Sequence, residues 1–178
     1  MILTGNKIRQ EVKNKKICID PFLEKNLNPN SYNFHLGHYV KIYKNKTLDP
    51  KVKQAVQIIK IPRAGLILSP DRIYLGYTVE RMGSNHYVPI IRGRSSTGRL
   101  GLFVHITADL IDIGSINHWT LQLYATQKIK VYSKMPIGQV TFWKPKGKII
   151  LYNGKYKDAT GPMESFIWKD FKNCDGKN

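Results

Sequence analysis

Short apolar runs of strand length recur along most of the chain. They are VQIIKI, IYLGYTVE, YVPIIR, GLFVHI, TLQLYAT, KIKVYS, IGQVTFW and KIILY. The runs are rich in Ile, Val, Tyr and Thr, which favour strands, and breaks rich in Gly, Pro, Asn or Lys separate them. No long helical period interrupts residues 50–152. The pattern therefore predicts an all-β domain, a distorted barrel or a jelly-roll-like sandwich.

The two ends of the chain depart from this pattern. Thr4 can cap a short N-terminal helix that runs to about Lys15. The total of 178 residues suits one domain. We expect a single domain over residues 1–171 and a flexible tail over residues 172–178.

The composition is that of a soluble globular protein, with 42% hydrophobic and 23% charged residues. No apolar run approaches the roughly 18 residues that a membrane helix needs, and the N-terminus does not resemble a signal peptide. Cys18 and Cys174 lie far apart in the sequence. Two separate thiols suggest a reducing, cytoplasmic location and exclude a CxxC metal or redox site.

The formal net charge of +17 favours an anionic partner. Nucleic acid, a membrane surface and a phosphorylated small molecule are the three classes to consider. A lysine-rich surface without a specific partner is the alternative. No aromatic RNA-binding box, zinc-finger spacing or recognition-helix pattern is present, so the sequence does not favour nucleic acid.

The polar segment GRSSTGR, residues 93–99, lies between predicted strands. Its glycines allow close backbone approach, and its hydroxyls and successive amides can bind an anion. Arg94 and Arg99 add planar guanidinium groups that suit phosphate oxygens. We expect a loop here rather than a helix, and either a polyphosphate site or a polar hairpin turn with two solvated arginines.

Acidic residues are informative because they are scarce. The chain has twelve, and only Asp109 and Asp112 fall between residues 81 and 157. Asp112 stands where a strand gives way to a turn, a good position for binding a sugar hydroxyl or orienting a water. The alternative is an ordinary turn aspartate that caps a local amide. His105, on an apolar run, is expected to be a core histidine.

The segment GRSSTGRLGLFVHITADLIDIG, followed by TLQL, resembles the signature of the dCTP deaminase family, part of the trimeric dUTPase superfamily. MILTGNKI, PNSYNFHLG, MPIGQVTFW and YNGKY are similar to other landmarks of that family and occur in the same order. The resemblance implies a distorted β-barrel of the dUTPase type. It also implies a homotrimer whose sites lie between subunits.

The resemblance also implies roles for individual residues. Arg94, Ser95, Ser96 and Arg99 would bind a triphosphate together with magnesium, with no metal ligand set of the protein's own. Ala108 would offer its backbone carbonyl near the attacking water. Asp112 would hold the deoxyribose 3′-hydroxyl and, as in dUTPase-like members, orient a water towards the phosphate chain. Lys155 and Tyr156 match the segment that closes over the nucleotide, while Trp119 either packs in a core or stacks on a base.

Gln122 departs from the family pattern. In family deaminases the strand reads TLEL, and its glutamate moves protons between water and the cytosine ring. An amide can bond to a pyrimidine edge but cannot exchange a proton near neutral pH, and losing an acid–base group typically costs about 10²–10⁴ in rate. Asn33 and Ala159 also depart from the family pattern. Together the three positions suit a natural member whose base chemistry has changed. The alternative is an engineered acid-to-amide substitution, which would explain Gln122 but not Ala159.

Three functions remain compatible with the sequence. The first and preferred is a pyrimidine nucleotide hydrolase that acts on the phosphate chain of a substrate such as dUTP or dCTP and uses Asp112 with Mg²⁺. The second is a dCTP deaminase that forms dUTP, in which another group takes over the proton transfer. The third is a catalytically silent nucleotide sensor or interaction protein.

Overall fold

The computed structural model of the protein describes residues 1–172. Residues 173–178 of the predicted tail, including Cys174, lie outside the described residues. No helix within residues 1–172 is long and apolar enough to span a membrane.

Strands dominate the fold, and the helices are short. The helices are α1 (Gly5–Lys13), α2 (Ser95–Arg99) and α3 (Trp168–Lys172), and a 3-10 turn covers Glu24–Asn26. The strands are β1 (Ile17–Asp20), β2 (Tyr32–His35), β3 (Tyr39–Tyr43), β4 (Val56–Lys60), β5 (Leu66–Leu68), β6 (Tyr74–Tyr77), β7 (Arg81–Ser84), β8 (Val88–Gly93), β9 (Leu102–Phe103), β10 (Thr120–Ala125), β11 (Ile129–Val131) and β12 (Pro136–Trp143). The predicted all-β class and the short N-terminal helix are both confirmed.

The strands form four antiparallel sheets. The largest has the order β4-β3-β6-β10-β9, and a three-stranded sheet has the order β2-β12-β8. The pairs β1-β7 and β11-β5 complete the set. Within the described residues, the hydrogen-bonded strands do not close into a barrel. The predicted barrel is therefore replaced by a sandwich-like arrangement of open sheets.

Some local predictions were wrong. GRSSTGR is not a loop throughout, because Ser95–Arg99 forms α2. The run KIILY, residues 148–152, forms no strand. Its Tyr152 N donates a hydrogen bond to Ile113 O at 2.7 Å, but no strand pairs with the run in the described part of the chain, and Ile150 is 85% exposed. Thr4 precedes α1, but its side-chain oxygen accepts no capping hydrogen bond from the first turn of the helix.

The core lies between the sheets and is built from alternating strand positions. Tyr32, Phe34 and Phe142 are its largest fully buried side chains. Gly138 is required where β12 passes β2, because a Cβ there would lie 2.2 Å from the Phe34 ring. The packing is therefore close enough that a small change of volume should affect stability.

Ile91→Ala is expected to lower the free energy of unfolding by about 2–5 kcal/mol, because Ile91 on β8 is fully buried and its loss leaves a cavity. Ile58→Ala removes the same atoms from β4, where the side chain is 62% exposed, and should cost under about 1 kcal/mol. Urea denaturation of both variants at equal protein concentration measures the difference. Equal losses would contradict this view of the core.

Candidate active site

One cavity of about 400 Å³ lies against the large sheet. Its wall includes one face of β10, the segment from His105 to Thr120, and the C-terminal segment from Tyr152 to Ser165. Clefts of this size hold small organic ligands. It brings together five of the predicted site residues: Ala108, Asp112, Trp119, Gln122 and Tyr156.

The alternation of β10 directs Gln122 to the cavity. Leu121, Leu123 and Ala125 are buried in the core, so Gln122 and its even-numbered neighbours lie on the opposite face. Gln122 is paired in register with Leu75 of β6. The side-chain amide has no hydrogen-bond partner among residues 1–172, so it is available to a ligand.

A tight turn places Asp112 at the cavity. Ser115 N bonds to Asp112 O at 3.1 Å, and Gly114 has a φ of +95°. Only glycine suits this position, because a Cβ would also lie 2.9 Å from Tyr152 N. The Asp112 carboxylate is exposed and has no partner in the described part of the chain, so it does not cap a local amide.

Asp109, the other acidic residue of this region, forms an ion pair with Arg92. Its Oδ2 lies 2.8 Å from Nη1 of Arg92, and the pair is partly exposed. Asp109 does not line the cavity, whereas Asp112 does. Of the two acids that the sequence singled out, the structure therefore leaves Asp112 for chemistry in the cavity.

His105 and Trp119 occupy different environments. Trp119 is 4% exposed, belongs to the hydrophobic core, and donates Nε1–H to Ser115 O at 3.2 Å. It therefore packs, although part of it borders the cavity. The expectation of a core histidine was wrong, because His105 is half-buried and lines the cavity wall.

The predicted phosphate-binding residues lie outside the cavity of the same chain. Thr97 is buried and anchors α2, with its Oγ1 2.8 Å from Arg94 O and 3.2 Å from Ile137 O. Arg94 is half-buried, with Nη1 3.5 Å from Pro136 O. Ser95, Ser96 and Arg99 are exposed. The four predicted residues thus belong to a polar segment that does not line the cavity of Asp112 and Gln122 in the described part of the chain.

The two closing residues behave differently from each other. Tyr156 lines the cavity, and its hydroxyl accepts a hydrogen bond from Phe166 N at 2.9 Å. Lys155 does not line the cavity, because its ammonium group pairs with the carboxylate of Asp170 in α3. In this conformation Tyr156 is placed to meet a ligand and Lys155 is not.

The C-terminal segment from Ala159 to Ser165 covers the cavity, and its contribution from Met163 to Ser165 extends beyond the closing segment that the sequence predicted. Met163 N donates to Thr120 Oγ1 at 2.9 Å, and Ser165 N donates to the Tyr43 hydroxyl at 2.9 Å. Glu164 forms an ion pair of 2.8 Å with Lys41. These contacts join residues more than forty positions apart, so no local pattern could have indicated them.

Cys18 is a free thiol, and burial raises its pKa. A raised pKa keeps the thiol protonated and poorly nucleophilic near neutral pH. Cys18 is also outside the cavity wall, so it takes no part in the chemistry of this site.

Comparison with known proteins decides the family. A family model described as dCTP deaminase-like matches residues 2–145, most of the chain and all of the segment that carries the cavity turn and β10. The chain belongs to the dCTP deaminase-like family. The resemblance found in GRSSTGR and the segments around it is confirmed.

Relatives within the dCTP deaminase-like family are similar over nearly the whole chain. A protein of Clostridium botulinum (strain Eklund 17B / Type B) named "dCTP deaminase, dUMP-forming" is 44% identical over 173 residues, covering 97% of this chain and 99% of that protein. Proteins of the same name from Hathewaya histolytica and Leptospira biflexa serovar Patoc (strain Patoc 1 / Ames) are each 43% identical over 97% of this chain, covering 100% and 99% of their own length respectively.

A solved dCTP deaminase supports the fold alone. The crystal structure of 2′-deoxycytidine 5′-triphosphate deaminase from Agrobacterium tumefaciens aligns with a TM-score of 0.63 at 20% identity. The alignment covers 79% of this chain and 47% of that one, so this chain spans about half of its length. That Gln122 replaces a family glutamate remains an inference from the resemblance.

Proposed function

We propose that this protein is a deaminase of dCTP that releases dUMP. This changes the order of preference reached from the sequence, where hydrolysis at the phosphate chain came first. Relatives 44% identical over 97% of the chain carry the name "dCTP deaminase, dUMP-forming", and this observation carries the proposal. Formation of dUMP from dCTP needs two hydrolyses: one releases ammonia from C4, and the other releases pyrophosphate.

The cavity supplies groups for the base and the sugar. The unpartnered amide of Gln122 can bond to the edge of a pyrimidine, and the Asp112 carboxylate can accept a hydrogen bond from a sugar hydroxyl. Ala108 borders the same space and would offer its carbonyl to the attacking water. Tyr156 and the segment over the cavity would shield these reactions from bulk water.

The phosphate chain would be bound by a second subunit. Arg94, Ser95, Ser96 and Arg99 lie outside the cavity of their own chain, and three of the four are exposed. A site assembled between subunits would bring this polar surface to the cavity of a neighbour. The exposed guanidinium of Arg99 has no partner among residues 1–172, which leaves its fork available for phosphate oxygens.

The proposed homotrimer has support in the surface of one chain. Four large apolar side chains follow α2 or lie between it and the cavity turn, and each is about half exposed or more: Leu100, Phe103, Ile106 and Leu110. Exposed apolar groups clustered in one region commonly mark an interface. Burial of this region against a neighbour would place α2 beside the second cavity.

Magnesium would enter with the triphosphate. The described residues contain no group of three or more His, Cys, Asp or Glu side chains placed to hold a metal ion. Mg²⁺ commonly binds substrate phosphates, waters and one or two carboxylates, and Asp112 offers such a carboxylate. The residues fit a metal carried by the substrate, which when bound would neutralise charge on the phosphate chain.

A silent nucleotide sensor is the second candidate, and Gln122 is the observation that favours it. A site that keeps Asp112 and the arginines but lacks a proton carrier would bind nucleotide without deaminating it. Such a protein would show saturable binding of dCTP and no products. A cytoplasmic location would suit either function.

Incubation with dCTP, dUTP and their ribonucleotide counterparts in the presence of Mg²⁺ tests the proposal. We expect dCTP to give dUMP, ammonia and pyrophosphate in equal amounts, measured by chromatography and coupled assays. Pyrophosphate without ammonia would return the preference to the phosphate-chain hydrolase. Binding without any product would favour the sensor.

A further inference from the structure

The segment that covers the cavity crosses the large sheet from one strand to another. Met163 N donates to Thr120 Oγ1 on β10 at 2.9 Å, and Ser165 N donates to the Tyr43 hydroxyl on β3 at 2.9 Å. In the sheet, β6 lies between β3 and β10. The segment therefore passes over β6, and Glu164 lies between its two backbone contacts.

The pairing register places Lys41, Leu75 and Gln122 in one row across three strands. Lys41 on β3 is opposite Leu75 on β6, and Leu75 is opposite Gln122 on β10. Residues opposite each other in antiparallel strands point to the same face of a sheet. The side chain of Lys41 therefore lies on the cavity face, in line with Gln122, and its Nζ meets Glu164 Oε2 there at 2.8 Å.

The ion pair of Lys41 and Glu164 is largely removed from solvent, because the two side chains are only 17% and 14% exposed. Burial raises the pKa of Glu164, but the hydrogen bond and the charge of Lys41, together with the charge of Lys53, lower it overall. The carboxylate is therefore ionised near neutral pH. Two charges in such a place attract each other more strongly than in open water, and separating them is costly.

The ion pair differs from the two other contacts described above. Met163 N and Ser165 N donate to neutral hydroxyl oxygens, and such bonds contribute less than a bond between charged groups. Glu164 lines the cavity, whereas Lys41 does not. The strongest of the three contacts therefore fastens the segment at the wall of the cavity itself.

We propose that the ion pair of Lys41 and Glu164 holds the cover, Ala159–Ser165, closed over a bound pyrimidine nucleotide and so limits the rate at which the nucleotide leaves. The identity of the nucleotide rests on the proposed function. Lys41 and Glu164 are positioning residues, because they act through the cover and on no reacting atom. Release requires the cover to lift, and lifting it separates the two charges.

Lys41→Met and Glu164→Gln each remove one charge of the pair and keep a side chain of similar size. We expect dissociation of a dCTP analogue that resists hydrolysis, measured by stopped-flow displacement, to become about 10–100-fold faster in either variant. KM for dCTP should rise by about tenfold or more, while kcat should fall less than about threefold. The double variant should lose about as much as either single variant, because the same interaction is removed. Exchange of the charges, Lys41→Glu with Glu164→Lys, should restore most of the affinity.

Amide hydrogen exchange measures the cover without any nucleotide. In the free protein, the amides of Met163 and Ser165 should exchange about tenfold faster in Lys41→Met than in the unmodified protein, because the cover opens more often. Lys7→Met is the matched control. It breaks an ion pair of the same 2.8 Å length, with Glu11 in α1, and both residues lie outside the cavity wall. It should leave the exchange of both amides and the KM for dCTP unchanged.

Unchanged exchange and unchanged nucleotide dissociation in both single variants would overturn this inference. A loss of kcat of more than about a hundredfold in Glu164→Gln but not in Lys41→Met would also overturn it, because the carboxylate would then act on the substrate directly. An unmodified protein that binds dCTP without releasing ammonia would refute the proposed deaminase alone. The exchange and dissociation measurements need no turnover, so they still decide whether the ion pair holds the cover.

Discussion

Asp112→Asn is expected to lower pyrophosphate release from dCTP and dUTP by about 10²–10⁴-fold. The amide is the same size as the carboxylate but lacks the charge that would orient a water and reach a nucleotide-borne metal. The Asp112 side chain is exposed and makes no contact that supports the fold among residues 1–172, so the thermal midpoint should be unchanged. Steady-state assays of pyrophosphate with both nucleotides measure the effect.

Asp109→Asn is the control for this substitution. Asp109 is three residues away, pairs with Arg92 and lies outside the cavity wall. Its ion pair is partly exposed and worth under about 1 kcal/mol, so activity and stability should change little. An Asp112→Asn enzyme that keeps its rate within about tenfold would exclude Asp112 from the hydrolytic step.

Arg99→Ala is expected to weaken binding of a pyrimidine nucleoside triphosphate by about 10–100-fold. A charged hydrogen bond contributes about 1.5–3 kcal/mol, and 1.4 kcal/mol corresponds to a factor of ten. The loss should be much smaller for the monophosphate, because the arginine would contact the outer phosphates. Titration calorimetry with dUTP analogues that resist hydrolysis, compared with dUMP, measures both affinities.

Arg72→Ala is the control for Arg99→Ala. Arg72 is also exposed, and within residues 1–172 its ion pair is with the neighbouring Asp71. It should leave both affinities unchanged.

Sedimentation of the unmodified and Arg99→Ala proteins should give a mass of about three chains of 20.5 kDa. A monomer that binds triphosphate at full affinity would rule out a site shared between subunits, and unfolding of Arg99→Ala would make the arginine structural.

The two halves of the proposed reaction place different demands on the protein. Hydrolysis of the phosphate chain needs charge stabilisation and an oriented water, which Asp112 and the arginines can supply. Deamination needs a group that both accepts and donates a proton, and Gln122 is not one. This difference is why the separate measurement of ammonia and pyrophosphate is the most informative assay for this protein.

Secondary structure could be predicted where a strand carries enough apolar residues. The runs at β4, β6, β8, β10 and β12 were recognised because alternation and β-branched content agreed. The strand β7, with the sequence RMGS, was missed because its pairing with β1 stabilises it rather than any preference of its residues. The strand predicted at KIILY was wrong for the opposite reason. Its residues favour a strand, but no other strand pairs with them within the described chain.

The site could be predicted as a set of residues but not as an arrangement. The position of Asp112 before a glycine turn and of Gln122 on β10 followed from local sequence, and both line the cavity. His105 was misjudged because its apolar neighbours indicate a core, while its contact with Thr120 depends on pairing between distant segments. The cover formed by Ala159–Ser165 rests on contacts that span from about forty to more than one hundred and twenty positions.

The amino-acid sequence alone was enough to determine the all-β class, the family and the side chains available for chemistry, since these depend on composition, local alternation and short motifs. The tertiary structure decided which of those side chains meet. It separated Arg99 and its neighbours from the cavity of their own chain, joined Asp109 to Arg92, and left Asp112 and Nδ1 of His105 without partners. The physical reason is that such distances are set by how the sheets pack, and packing sums many weak contacts between residues far apart in the chain.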